Sequence, residues 1–100
     1  MKTFQLTREA KQDLKNIAIY TEKRWGRDQR YLYAKQLDDV FHFLAETPSI
    51  GKKCDYIKLG YRKYPQGSHI IFFRENAKEK ITIIRILHKN MDIESKFLHA

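Results

Sequence analysis

The chain predicts an α+β fold in the order β-α-α-β-β-β, a helical hairpin packed on one face of a small, mostly antiparallel sheet. Three observations predict it. Apolar residues recur at spacings of three or four through the first half, as they do when a helix buries one face. Runs rich in Ile and Phe, residues 68–74 and 81–87, are confined to the second half and suit a pleated, packed surface. Helices segregated from strands along a chain point to α+β architecture.

Residues 1–6 alternate weakly, with Phe4 and Leu6 on one side, and read as a first strand. Thr7 is placed to cap a helix, and Glu9 sits well against its dipole. The buried stripe of that helix is Ala10, Leu14, Ile17, Thr21 and Trp25, with Asp13 and Lys15 among the residues mostly opposite. Gly26 ends it. Asp28 opens a second helix whose stripe is Tyr33, Leu37, Val40, Phe41 and Leu44, and Pro48 stops it. From these stripes the expected core is Leu14, Ile17, Trp25, Leu37, Val40, Phe41 and Leu44.

Residues 49–57 read as irregular, with Lys52 and Lys53 exposed. A strand over 58–64 follows, turned by Tyr64-Pro65-Gln66-Gly67. Proline presets a type I turn there, and glycine closes a bulged hairpin. The strands over 68–74 and 81–87 complete a meander. Strict alternation on the last puts Ile81, Ile83, Arg85 and Leu87 on one face and Thr82, Ile84 and Ile86 on the other. Both faces are apolar while the helices cover only one. The second face therefore calls for a cover, either residues 93–98 or a partner protein.

One hundred residues fit one domain, 1–100. No apolar run approaches the roughly 18 residues of a membrane span, and the N-terminus lacks a signal-like core. A single cysteine, Cys54, excludes an internal disulfide and a cysteine metal cluster. A cytoplasmic location is the expectation. The net charge of +8 is uneven: residues 48–100 hold eleven Lys/Arg against five Asp/Glu, whereas residues 1–47 hold nine against seven. A basic second half suggests an anionic partner, whether nucleic acid, a nucleoprotein machine or an acidic protein. A merely solubilising surface is the plain alternative.

Catalytic signatures are sparse. The glycines form no phosphate loop, and the four histidines lack metal-ligand spacing. Ser68 and His69 are strand neighbours facing opposite ways, and Asp38-Asp39 suit a solvated helix face better than an acid/base pair. The group left over is Arg62, Arg74, Arg85 and His88. Cations holding a phosphate beside an imidazole would suit a metal-independent ribonuclease. Arg85, set among isoleucines, must pair with an acid or reach a solvent-lined groove, because an orphan buried charge is costly.

Taken together, the pieces Ala10-x-x-Asp13-Leu14-x-x-Ile17-x-x-Tyr20, Arg24-Trp25-Gly26, Leu44-x-x-x-Pro48-x-x-Gly51, Gly60-Tyr61-Arg62-Lys63-Tyr64-Pro65-x-Gly67-Ser68-His69 and Arg85-Ile86-Leu87-His88-x-x-Met91-Asp92 span almost the whole chain. In this order they resemble the ParE-type toxins of type II toxin–antitoxin systems, within the RelE/ParE family. The resemblance implies a toxin that poisons DNA gyrase by binding, with its DNA, and is neutralised by a ParD-type antitoxin whose C-terminal segment wraps it. It implies no catalysis, cofactor, metal, membrane or small-molecule substrate. Arg62, Lys63, Arg74, Arg85, His88, Met91 and Asp92 are the expected target-binding or site-shaping residues. A RelE-type ribosome-dependent mRNA endonuclease on the same scaffold is the alternative, although the chain end lacks a terminal tyrosine and leaves His88 as the acid/base. A basic binding module without toxicity is a third.

Overall fold

The computed structural model describes residues 4–91 and 96–97. Strand β1 (Phe4–Leu6) leads into helices α1 (Arg8–Trp25) and α2 (Arg27–Glu46), then a short 3-10 turn (Pro48–Ile50). Strands β2 (Lys52–Lys53), β3 (Arg62–Gln66), β4 (His69–Glu75) and β5 (Ile81–His88) complete the order. They form one sheet, β1-β5-β4-β3-β2, antiparallel except where β1 runs parallel to β5. The expected order and architecture hold, with one strand more than foreseen: Lys52 and Lys53 pair with Lys63 and Arg62 as a short edge strand.

Thr7 caps α1 as its chemistry suggests, accepting the Ala10 amide at 3.0 Å. Gly26 alone joins the helices, at φ 95° and ψ 173°, a region open essentially to glycine only. The helical stripe packs on Ile71, Phe73, Ile81, Ile83 and Ile86, with Ile17, Leu37, Phe41 and Leu44 buried and Leu14 and Val40 partly so. Trp25 departs from the expected core. It is 66% exposed, at the last residue of α1.

Two further expectations are corrected by register. Pro65 and Gln66 belong to β3, opposite Ile70 and His69, so the hairpin turns at Gly67-Ser68. Gly67 alone of that pair has a positive φ, 57°, the pattern of a II′ turn that matches strand twist. Proline is tolerated because β2 reaches only Arg62 and Lys63, leaving the stretch beyond without a neighbour to bond. On β5, the pairing steps from Phe73↔Ile83 to Phe72↔Arg85. Ile84 is the extra residue of a bulge, and it reverses the alternation beyond it. Ile86 therefore joins Ile81 and Ile83 on the helix side, while Arg85 and Leu87 face away.

That second face is covered from within the chain. Cys54, Phe72 and Leu87 are buried there beneath Ile57, Tyr61, Ile70 and Phe97. Phe97 meets Phe72 edge-on at 5.0 Å and Tyr61 at 5.9 Å, so this part of the tail serves as the expected cover. Residues 93–95 and 98, expected to share that task, lie outside the described residues.

Candidate functional site

Between the C-terminal half of α1 and the β4–β5 end of the sheet lies a groove of about 560 Å³. Tyr20, Arg24 and Trp25 line it from α1, Tyr33 from α2, and His69, His88 and Met91 from the sheet and the segment after it. Tyr20 on this wall is 63% exposed. The Arg24 guanidinium lies 5.5 Å from the centre of the Trp25 ring, within cation–π range.

The floor is a relay of polar groups. Tyr33 Oη donates to the Gln66 carbonyl at 2.9 Å and lies 2.7 Å from His69 Nδ1. The Tyr33 hydroxyl and His69 Nδ1 thus share a hydrogen bond whose direction follows the imidazole tautomer. Across the strand pair stands His88, whose ring is 5.6 Å from that of His69 at nearly a right angle. The Asn90 amide donates to His88 Nδ1 at 3.1 Å, which places the proton of neutral His88 on Nε2. The groove thus sets two imidazoles side by side, one of them bonded to a phenol. Burial lowers the His69 pKa, and the neighbouring His88 pushes the same way. Burial also raises the Tyr33 phenol, against a smaller opposite pull from the Ser68 backbone. Among the described residues, no group of three or more His, Cys, Asp or Glu side chains is placed to hold a metal ion.

The expected site residues do not converge on this groove. His88 and Met91 line it. Arg74 is exposed near the far end of β4, about 17 Å of strand from His69 at some 3.4 Å per residue. Arg62 and Lys63 sit on β3, toward the other sheet edge: Arg62 Nη1 donates to the Gly51 carbonyl at 2.8 Å, and Lys63 Nζ to Tyr56 Oη at 3.1 Å. Arg85 turns around the sheet edge to Asp13, with Nε and Nη2 at 2.8 and 3.0 Å from its two oxygens. Hydrogen bonding to Asp13 raises the Arg85 pKa further. Asp13 is largely buried, which corrects its placement opposite the core face. Asp92 lies outside the described residues.

The family whose sequence pattern matches residues 4–93 is described as "ParE toxin of type II toxin-antitoxin system, parDE". The chain belongs to the ParE toxin family. A Toxin ParE1 of Caulobacter vibrioides is 39% identical over 92 residues, covering 92% of this chain and 94% of the relative. A Toxin ParE1 of Mycobacterium tuberculosis is 37% identical over 91 residues, covering 91% and 93%. The fold is similar to a solved structure described as "Chromosomal ParDE TA system from P. aeruginosa", with a TM-score of 0.70 over 88% of this chain and 96% of that one, at 20% identity.

Several groove residues of this ParE toxin were not singled out by sequence reasoning: Tyr20, Arg24 and Tyr33 as groove walls, and His69 as the partner of His88. Only the II′ turn, which sets Gln66 opposite His69, and the β5 bulge bring these side chains together. No helix among the described residues is long and apolar enough to cross a membrane.

Proposed function

We propose that this ParE toxin acts by binding DNA gyrase and trapping its DNA-cleavage state, and that a ParD-type antitoxin holds it inactive. The observation that carries the reading is the groove edged by Tyr20, Arg24 and Trp25 on a chain of this family. Trp, Tyr and Arg dominate the energy of protein interfaces, and leaving large aromatics in water has no benefit to folding. A poison of this kind needs only higher affinity for one state of its target's cycle than for the others. Arg62, Lys63, Arg74, Arg85, His88, Met91 and Asp92 remain in the proposal as contact or site-shaping residues. Purified toxin added to gyrase, ATP and relaxed plasmid should block supercoiling and accumulate cleaved DNA, and equimolar antitoxin should reverse both effects. Undisturbed supercoiling would remove the proposal.

A second reading draws on the neighbouring His69 and His88 rings, of which a neutral one would act as base and a protonated one as acid. That is the equipment of metal-independent RNA cleavage, and it favours the ribosome-dependent endonuclease. Cleavage of mRNA on translating ribosomes, with gyrase unaffected, is its signature.

A further inference from the structure

One side chain of the groove carries a group that packing does not need. Tyr33 sits one helical turn before Leu37 on the stripe that α2 presents to the core. Leu37, Phe41 and Leu44 end among apolar neighbours, whereas Tyr33 reaches the β3–β4 turn. Its ring lies 5.6 Å from that of His69. Its hydroxyl lies 2.9 Å from the Gln66 carbonyl and 2.7 Å from His69 Nδ1. A phenylalanine there would bury nearly the same apolar surface without a hydroxyl to satisfy. The hydroxyl is surplus to packing, and its two partners flank the turn.

The turn is shaped to receive it. A Cβ added at Gly67 would lie 2.9 Å from Tyr33 Oη and 3.0 Å from Cε1, too close for a carbon, so the phenol fills the space that a side chain at 67 would need. Burial raises the Tyr33 pKa and lowers that of His69, so near neutral pH the contact joins two uncharged groups. A neutral hydrogen bond depends on distance and angle, and therefore fixes where its partners stand. His69 in turn stands opposite His88 across the β4–β5 pair, and both rings line the groove together with Tyr33 and Gly67. A shift of the turn is a shift of the groove floor.

We propose that Tyr33 is a positioning residue of this groove: its hydroxyl clamps the β3–β4 turn and the His69 ring to α2, and so sets the shape that a partner meets. The proposal rests on the reading of the groove as the surface offered to gyrase. It adds a group that acts through Gln66 and His69.

The test compares full-length wild-type toxin with Tyr33→Phe, which deletes the hydroxyl and keeps the ring. Thermal melting should show Tyr33→Phe folded. The His69 ring resonances and tautomer ratio, read by NMR, should change. Half-inhibition of supercoiling should need roughly two- to tenfold more toxin, the worth of one neutral hydrogen bond. His69→Gln, which leaves the Tyr33–Gln66 bond in place, should lose less. Gly67→Ala displaces the phenol from the other side and should reproduce both effects, which keeps the test open if Tyr33→Phe does not fold. Gly26→Ala, where an added Cβ meets nothing within 4 Å, should show neither effect. Unchanged His69 resonances in folded Tyr33→Phe would overturn the proposal, and so would full inhibition once they have changed. If wild-type toxin leaves gyrase untouched, the gyrase reading falls and the imidazole signals alone decide the clamp.

Discussion

Asp13 and Arg85, 72 positions apart, form a two-pronged ion pair, and the same carboxylate accepts the Ile86 amide at 2.9 Å. β1 pairs with β5 only as far as Ile83. Beyond that point the edge of β5 would be bare, and the start of α1 takes the place of a strand. Thr7 gives its amide to the Ile83 carbonyl and its hydroxyl to that of Ile84, and Asp13 takes the next amide. The bulge turns Arg85 off the helix side of β5, and its guanidinium nevertheless reaches Asp13 on α1.

Removing one partner should therefore cost more than removing both charges. Asp13→Ala strands a guanidinium that is 18% exposed and leaves the Ile86 amide unpaired, at a cost of about 3–5 kcal/mol. Arg85→Leu alone strands the carboxylate and should also destabilise. Asp13→Ala with Arg85→Leu buries no charge and loses only the acceptor for the Ile86 amide. Denaturant titration of the four proteins should give a coupling of roughly 1–3 kcal/mol; additive losses would mean the pair is incidental.

Gly67 and Gly26 make a matched comparison. Both have positive φ, and at Gly26 an added methyl would meet nothing within 4 Å. At Gly67 it would lie 2.9 Å from the Tyr33 hydroxyl. Alanine at Gly26 should cost roughly 1–3 kcal/mol from backbone strain alone. Alanine at Gly67 should also push Tyr33 off His69 and Gln66, seen as altered imidazole resonances by NMR. The Gly26 variant should leave those resonances in place.

His69 should make stability fall in acid. Its pKa in the folded protein lies below the ordinary value near 6.5, so the unfolded chain binds the proton more readily. Above that ordinary value the group is neutral in both states and contributes nothing. As pH falls through it, stability declines, and the decline from this group ends below the folded pKa. Melting temperature measured from pH 5 to 8 should rise with pH, and His69→Gln should flatten part of that rise. A variant with an unchanged profile would place the titration elsewhere.

The helical half was legible because its signals are local. The stripe, the Thr7 cap and the Gly26 break follow from spacing and backbone chemistry alone, and Leu37, Phe41 and Leu44 are buried as the period requires. What escaped depends on pairing. One extra residue at Ile84 inverts the faces assigned beyond it on β5, and no local pattern marks it. Pro65 suggested a turn because its tolerance in β3 depends on how short β2 is. Asp13 suggested solvent because its partner is 72 positions away. Trp25 fits the stripe as a periodic position, but periodicity does not tell where along the helix burial ends. The groove was illegible for the same reason: its walls come from both helices and two strands.

Trp25 offers a direct contrast with the true core. Leu37→Ala and Leu44→Ala remove fully buried side chains and should cost about 2–5 kcal/mol each. Trp25→Ala, on an exposed side chain, should change stability by less than about 0.5 kcal/mol while abolishing growth inhibition. Melting curves beside a plate assay separate the two classes. A Trp25→Ala toxin that still arrests growth would move the binding surface away from the groove.

The last prediction separates a binding poison from a nuclease on the same groove. General acid/base catalysis by one group is typically worth 10²–10⁴-fold in rate, so a nuclease using the histidine pair must lose nearly all activity when either ring can no longer titrate. Glutamine retains hydrogen-bonding capacity at both positions without a proton to exchange near neutrality. If His69 and His88 only shape a binding surface, His88→Gln keeps much of the gyrase inhibition, and His69→Gln keeps it too where Tyr33 remains bonded to Gln66. If the pair moves protons, both variants are inert, and so is wild-type toxin held well below the His69 pKa, where its base is already charged. Supercoiling and ribosome-bound mRNA cleavage, measured on the same three proteins, give opposite patterns for the two mechanisms. We expect inhibition of supercoiling to survive both substitutions. Its loss in both, together with mRNA cleavage by the wild type alone, would assign the groove to catalysis.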